Sequence, residues 1–304
     1  MDPPLSSPRV TWKETLNGAL TRATGYQLQK PGPAFAPKPG ATRPRVGQLR
    51  PGDRLVEAPV FVICTLRSGS TLLRVLLDSH SQIRAPHELH LRHVSVGFDE
   101  KWSERSMNEL GLDQRAAEYL LWDRLLHREL AASGKSIIAD KTPNNVFIVD
   151  RLREAWPDAR FIYLLRHPGA IVRSRQAYKG DGSDDDVERN VRLILRYCEA
   201  LEAARQTYDG HTLRYEDLTA DPERELRAIC SFLGIPYEPG MLEYGQFDHG
   251  RYKSGLGDWH DKIKSGAIQP PEPPPPLEEI HPSLREMCAT WGYLEAEVPL
   301  DRGA

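Results

Sequence analysis

The chain has 304 residues, 40 basic against 43 acidic side chains for a formal charge of -3, and 39% hydrophobic residues. That length fits one large α/β domain or two small ones, because single cores stop growing at about 250–300 residues. The near-neutral balance excludes a non-specific nucleic-acid binder, which needs a strong basic excess, so any anion site has to be built locally.

Residues 1–57 are polar and punctuated by Pro31, Pro33, Pro37, Pro39, Pro44 and Pro51. They read as an N-terminal arm with one short helix from Val10 to Thr24, ahead of a single domain at 58–304. Cys64, Cys198, Cys230 and Cys288 are widely spaced with no C-x-x-C pair, which predicts reduced thiols. No segment reaches the roughly 20 apolar residues of a membrane span, and Met1 to Leu20 lacks the apolar core of a secretory signal. The expectation is a soluble, cytoplasmic protein with no stable membrane insertion.

From Pro59 the texture changes. Pro59 to Cys64 is a short apolar run rich in β-branched residues, the pattern of a strand buried on both faces. Thr71 to Asp78 then has helical spacing. Further helices are predicted over Asp113 to Ala132, Asn145 to Trp156, Pro168 to Tyr178, Asp184 to Tyr208, Pro222 to Leu233 and Ser283 to Trp291. Strands are predicted at Ser136 to Asp140, Arg160 to Leu165 and His211 to Arg214. Strands alternating with helices imply a three-layer α/β/α fold around a parallel sheet. Gln269 to Pro276 is proline-rich and reads as a stiff surface spacer.

Two turns carry chemistry. Thr65-Leu-Arg-Ser-Gly-Ser-Thr-Leu72 lies between a buried strand and a helix, where backbone N–H groups and the helix dipole make an anion cradle. It departs from the nucleotide-triphosphate loop G-x-x-x-x-G-K-[ST]: Cys64 replaces the first glycine and Ser70 the lysine, while only Thr71 fits. A phosphate that is not part of a metal-bridged triphosphate is therefore expected there. In the second turn, Arg166 closes a strand and Ser174 follows eight residues on, two turns into the next helix. This is the sheet edge where α/β proteins bind ligands, and the pair can hold another phosphate.

Together these segments resemble the superfamily of sulfotransferases that use 3′-phosphoadenosine 5′-phosphosulfate (PAPS). Arg67, Ser68, Gly69, Ser70 and Thr71 match its 5′-phosphosulfate motif; Arg166, Pro168 and Ser174 match its 3′-phosphate motif. Arg214-Tyr-Glu-Asp-Leu218, Asp221-Pro222 and Phe232-Leu-Gly234 are similar to a stretch whose tyrosine, here Tyr215, lies near the adenine. Lys253-Ser-Gly-Leu-Gly-Asp-Trp259 is similar to the segment that closes over the 3′-phosphate. The resemblance covers Pro59 to Trp259 and implies a P-loop nucleotide-hydrolase-like fold. It also implies PAPS as donor, 3′-phosphoadenosine 5′-phosphate (PAP) as product, and no metal.

Departures from that pattern are informative. Leu72 stands where animal cytosolic members place an adenine-stacking tryptophan, Tyr252 and Ser254 replace an arginine and a glycine of the late motif, and Pro143 replaces the catalytic histidine after Lys141-Thr142. Glu88, in Pro86-His-Glu-Leu-His90, is the expected base, its pKa raised by apolar neighbours; His87 and His90 are the alternatives. Arg67 and Lys141 are expected to stabilise charge on the leaving phosphate. The acceptor is expected to be a small molecule, lipid or glycan, and the composition suggests a bacterial enzyme of secondary metabolism. Leu89 to Gly111, with Phe98, Trp102 and Met107, is either a lid over it or ordinary packing. A P-loop kinase and a non-catalytic nucleotide binder are the competing readings. The triple aspartate at 184–186 reads as a helix-start charge run, and oligomeric state is not legible.

Overall fold

Apolar side chains alternate along the central strands, and that alternation builds two cores. The computed structural model describes Leu49 and residues 52–179, 183–249, 263–270 and 272–294. In β1 (Val60–Cys64) every residue is buried. Phe61 and Ile63 face one layer, Val60, Val62 and Cys64 the other. The neighbouring β4 (Arg160–Leu165) repeats the division, with Phe161 and Tyr163 in the first core and Ile162 and Leu164 in the second.

The sheet is entirely parallel, in the order β2-β3-β1-β4-β5, with β2 at Ile83–Arg84, β3 at Ile137–Asp140 and β5 at Gly210–Arg214. One face is covered by α3 (Gln114–Ser133), α4 (Val149–Ala155), α5 (Pro168–Lys179), α6 (Asp184–Thr207) and α9 (Pro282–Thr290). The other is covered by α1 (Ser70–Asp78), α7 (Tyr215–Ala220) and α8 (Pro222–Leu233). The chain leaves β1 toward β2 at one edge and leaves β4 toward β5 at the other. Their carboxyl ends therefore flank the crevice at the reversal of strand order, the place where such sheets bind ligands.

Most predicted elements lie within two residues of those observed. The helix expected over Asn145 to Trp156 is split: a 3-10 turn at Pro143–Phe147 precedes α4, and Ile148 breaks the geometry between them (φ -133, ψ 19). The cause is side-chain bonding, because the Asn145 amide donates to Asp140 Oδ2 at 2.7 Å. α2 (Lys101–Glu109), inside the expected lid, buries none of its side chains, and Trp102 is 73% exposed, so Trp102 is not core packing. The aspartates at 184–186 open α6, where Ser183 caps the helix and Asp186 accepts from Asn190 Nδ2 at 3.1 Å. All four cysteines are buried and free. Among the described residues no helix is long and apolar enough to cross a membrane. The predicted Val10 to Thr24 helix and the late motif with Lys253, Tyr252 and Ser254 lie outside the described residues, as does most of the 1–57 arm.

Candidate active site

The turn after β1 is shaped by two left-handed residues, Arg67 (φ 61) and Gly69 (φ 82). Glycine takes that conformation freely; other residues take it at a cost of about 1–2 kcal/mol. Gly69 is required for a second reason: a Cβ there would fall 2.1 Å from Cδ2 of Tyr215. The tyrosine ring thus lies directly against the glycine backbone. On the ring sits Arg166, its guanidinium carbon 4.6 Å from the centroid. Arg166 Nη1 also donates to the Arg67 carbonyl at 2.7 Å, and Arg67 Nε donates to Ser174 Oγ at 3.3 Å. Segments as far apart in the chain as Arg67 and Tyr215 therefore form one cluster.

Ser68 Oγ donates to the Thr65 carbonyl at 2.9 Å, tightening the turn, and no side chain caps the start of α1. A cavity of about 530 Å³ opens here, walled by Gly69, Ser70, Thr71, Leu72 and Tyr215 together with Glu88 and His90. Its size is that of a nucleotide-scale ligand site. The open approach over Gly69, with the arginines Arg67, Arg166 and Arg173 and the hydroxyls of Ser70, Thr71 and Ser174 in the lining, suits a ligand with more than one phosphate group.

Beside the turn, Lys141 follows β3 and is 1% exposed. Its Nζ lies 2.5 Å from Glu88 Oε1, while Glu88 Oε2 lies 3.4 Å from His90 Nε2. The expectation of apolar neighbours for Glu88 is corrected: both carboxylate oxygens face nitrogen. Its loop is held by Thr142, whose Oγ1 accepts from the N–H groups of Leu89 (3.1 Å) and His90 (3.3 Å) and donates to Asp140 Oδ1 at 2.9 Å. Burial pushes the Asp140 carboxyl up, against the lowering effect of its bonds from Asn145 and Thr142. Burial likewise pushes the Cys64 thiol up to about 11, against Lys141 and Ser70 nearby, so it stays protonated and inert.

Three features were not anticipated. Arg67 Nε reaches Ser174 Oγ and the guanidinium lies 5.3 Å from the centre of the Tyr178 ring, contacts that the loop sequence does not announce. The proline-rich segment is more than a spacer: Gln269, Pro270 and Glu272 wall the cavity, and Pro275 is buried against Gly169. Thr142 ties the Glu88 loop to β3, which a hydroxyl inside a K-T-P triplet does not announce. His87 is exposed, its Nδ1 3.1 Å from the Glu88 carbonyl, and it does not wall the cavity. Among the described residues no group of three or more His, Cys, Asp or Glu could hold a metal ion.

A glycine turn after the first strand and an arginine at the tip of its neighbour, meeting at the switch point of a parallel sheet, define a P-loop-like α/β protein. Residues 59–239, more than half of the chain, match the model of the Sulfotransferase family (Sulfotransfer_3), and the chain belongs to that family. It is 30% identical over 274 residues to omega-hydroxy-beta-dihydromenaquinone-9 sulfotransferase Stf3 of Mycobacterium bovis, covering 66% of this chain and 69% of that protein. It is 25% identical over 199 residues to protein-tyrosine sulfotransferase 1 of Danio rerio (61% and 55% covered). Against the nodulation protein NoeE of Sinorhizobium fredii it is 26% identical over 239 residues (66% and 57%). The chain thus spans little more than half the length of the latter two. Two solved structures share the fold: the sulfotransferase domain of the Synechococcus PCC 7002 olefin synthase (TM-score 0.57, 22% identity, 80% and 98% covered) and that of the curacin biosynthetic pathway (0.56, 21%, 79% and 99%).

Proposed function

We propose that the protein moves a sulfuryl group from PAPS to an acceptor hydroxyl, with Glu88 as general base. The observation that carries this is that Glu88, paired with Lys141, lines the same cavity as Arg67, Arg166, Ser174 and Tyr215. The donor, when bound, supplies an activated sulfuryl group on a phosphate leaving group. Ser70, Thr71 and the surrounding N–H groups hold the 5′ end; Arg166, Ser174 and Arg67 hold the 3′-phosphate; Tyr215 lies beside the base, and Lys253 is assigned to closing the 3′ end. Positioning and fixed charge do most of the work, as in phosphoryl transfer.

Glu88 accepts the acceptor's hydroxyl proton at a carboxylate oxygen, and His90, 3.4 Å from Oε2, orients that carboxylate or shares the proton. Lys141 is placed to neutralise charge that develops on the leaving oxygen while holding Glu88 in register. Residues 58–304 form the catalytic domain in this reading and 1–57 an arm. The acceptor is a small molecule, lipid or glycan, and buried reduced cysteines suit a cytoplasmic, bacterial setting. The missing Walker lysine and the family match favour this over a kinase. Incubation with labelled PAPS and an acceptor panel, scored by a mass gain of one sulfate, tests it; phosphate transfer from ATP instead would refute it.

A further inference from the structure

Next to the Glu88 loop lies a group of arginines that the sulfuryl-transfer chemistry does not use. The guanidinium carbons of Arg92 and Arg196 stand 4.7 and 4.8 Å from the centroid of the same ring, Phe147. Phe147 meets Tyr197 edge-on at 4.6 Å. Arg175 Nε donates to Asn190 Oδ1 at 2.7 Å, which fixes its head group, and Asn190 is itself tied to Asp186. Arg92 and Arg196 thus flank one ring that packs on Tyr197, whose pKa is raised by burial and drawn down by Arg92, Arg175 and Arg196. Among the described residues no carboxylate forms an ion pair with any of the three, although other arginines of α6 have theirs: Arg189 with Asp186, Arg192 with Glu188, Arg205 with Glu202.

Converging like charges without a counter-charge repel, and they attract an anion of matching geometry. Guanidinium groups match carboxylate, phosphate and sulfate oxygens in fork geometry. The cluster adjoins the reacting groups. Arg92 is two residues beyond His90, at most about 7 Å of chain. The Tyr197 hydroxyl donates to Asn144, which follows the cavity wall residue Pro143. Phe147 and Arg92 are partly exposed and Arg196 is exposed, so the cluster is open to a ligand.

We propose that Arg92, Arg175 and Arg196, seated about Phe147 and Tyr197, form a subsite for an anionic group carried by the acceptor, beside the hydroxyl to be sulfated. The inference rests on the reading of Glu88 as the acceptor-facing base. The acceptor is then a hydroxyl compound bearing a carboxylate, phosphate or sulfate, and not a neutral alcohol.

The test is saturation-transfer NMR on the full chain at saturating PAP. Its probes are neutral 4-hydroxybenzyl alcohol, 4-hydroxyphenylacetate and 4-hydroxyphenyl phosphate. At least one anionic phenol is expected to bind about tenfold or more tighter than the neutral one, the scale of one charge-assisted contact. That preference should shrink with added salt, collapse in R92Q/R196Q, and persist in R92K/R196K, with PAP affinity unchanged. Equal binding of the three probes, or a preference untouched by both salt and R92Q/R196Q, overturns the subsite. Should the Gln variant not fold, the wild-type preference and its salt dependence decide. Failure of PAP to bind refutes the donor reading alone, and the three probes are then compared on the PAP-free chain with the same criteria.

Discussion

Lys141 Nζ sits 2.5 Å from Glu88 Oε1, a nearly buried cation against a nearly buried carboxylate, at the carboxyl end of β3. Removing either partner strands the other. Replacing Lys141 with Met leaves the Glu88 charge uncompensated, and removal of one member of a buried pair destabilises by about 3–5 kcal/mol. Glu88→Gln keeps the shape but cannot take a proton. Turnover should fall about 10²–10⁴-fold, the usual worth of general base catalysis, with PAP affinity little changed. Thermal melts on the first variant and single-turnover kinetics with calorimetry on the second are the checks; near-normal turnover in E88Q removes Glu88 from the mechanism.

The packing of Tyr215 on Gly69 makes a prediction about the 5′ turn. Gly69→Ala meets both a left-handed backbone and a ring 2.1 Å from the new Cβ, so the turn must open. PAP affinity should fall at least about tenfold, since even 1.4 kcal/mol of strain in the bound form has that effect. In G69A/Y215A the clash is gone but the backbone strain stays, so part of the loss should persist. Calorimetric titration of both variants beside Y215A, which supplies the cost of losing the ring itself, separates clash from backbone strain.

Thr142 predicts a positioning effect. Thr142→Val removes the acceptor for two N–H groups and a donor to buried Asp140, each unsatisfied group costing about 1–3 kcal/mol. Hydrogen exchange at Leu89 and His90 should accelerate and kcat should drop with PAP affinity unchanged, while Thr142→Ser restores both. A kcat untouched in the valine variant would show that the loop holds itself.

Stability should weaken in mild acid. The His167 ring accepts from the N–H groups of Gly169 (3.1 Å) and Ala170 (3.4 Å) at Nδ1, capping α5, and burial lowers its pKa from the ordinary 6.5. His211 is lowered by burial too. A histidine whose folded pKa lies below its unfolded value binds its proton more readily when unfolded. Its contribution is full above pH about 6.5 and is lost as pH falls toward the lowered folded value. Urea midpoints should drop between pH 7.5 and 5.5, and His167→Asn, which keeps a cap, should reduce that drop.

The continuous apolar run from Val60 to Cys64 and the apolar stripes of the helices announce a doubly covered parallel sheet, so the layers were legible from local pattern. The turn after β1 and the strand tip at Arg166 were legible because each ends a buried strand ahead of a helix. Contacts across the chain were not. Nothing in the order of residues says that Lys141 comes to Glu88, that Arg67 swings to Ser174, or that Gln269 and Pro270 return to wall the cavity. β2, with two residues, is too short to carry a period, and the break at Ile148 depends on the Asn145–Asp140 bond, which forms only in the fold.

Calorimetric titration of PAP into the full chain, with and without Mg²⁺ and beside ATP, tests the central claim most directly. Tight, metal-independent PAP binding that is lost in R166A and in G69A is the predicted result. A chain that ignores PAP, or that takes ATP with Mg²⁺ in preference, contradicts the account.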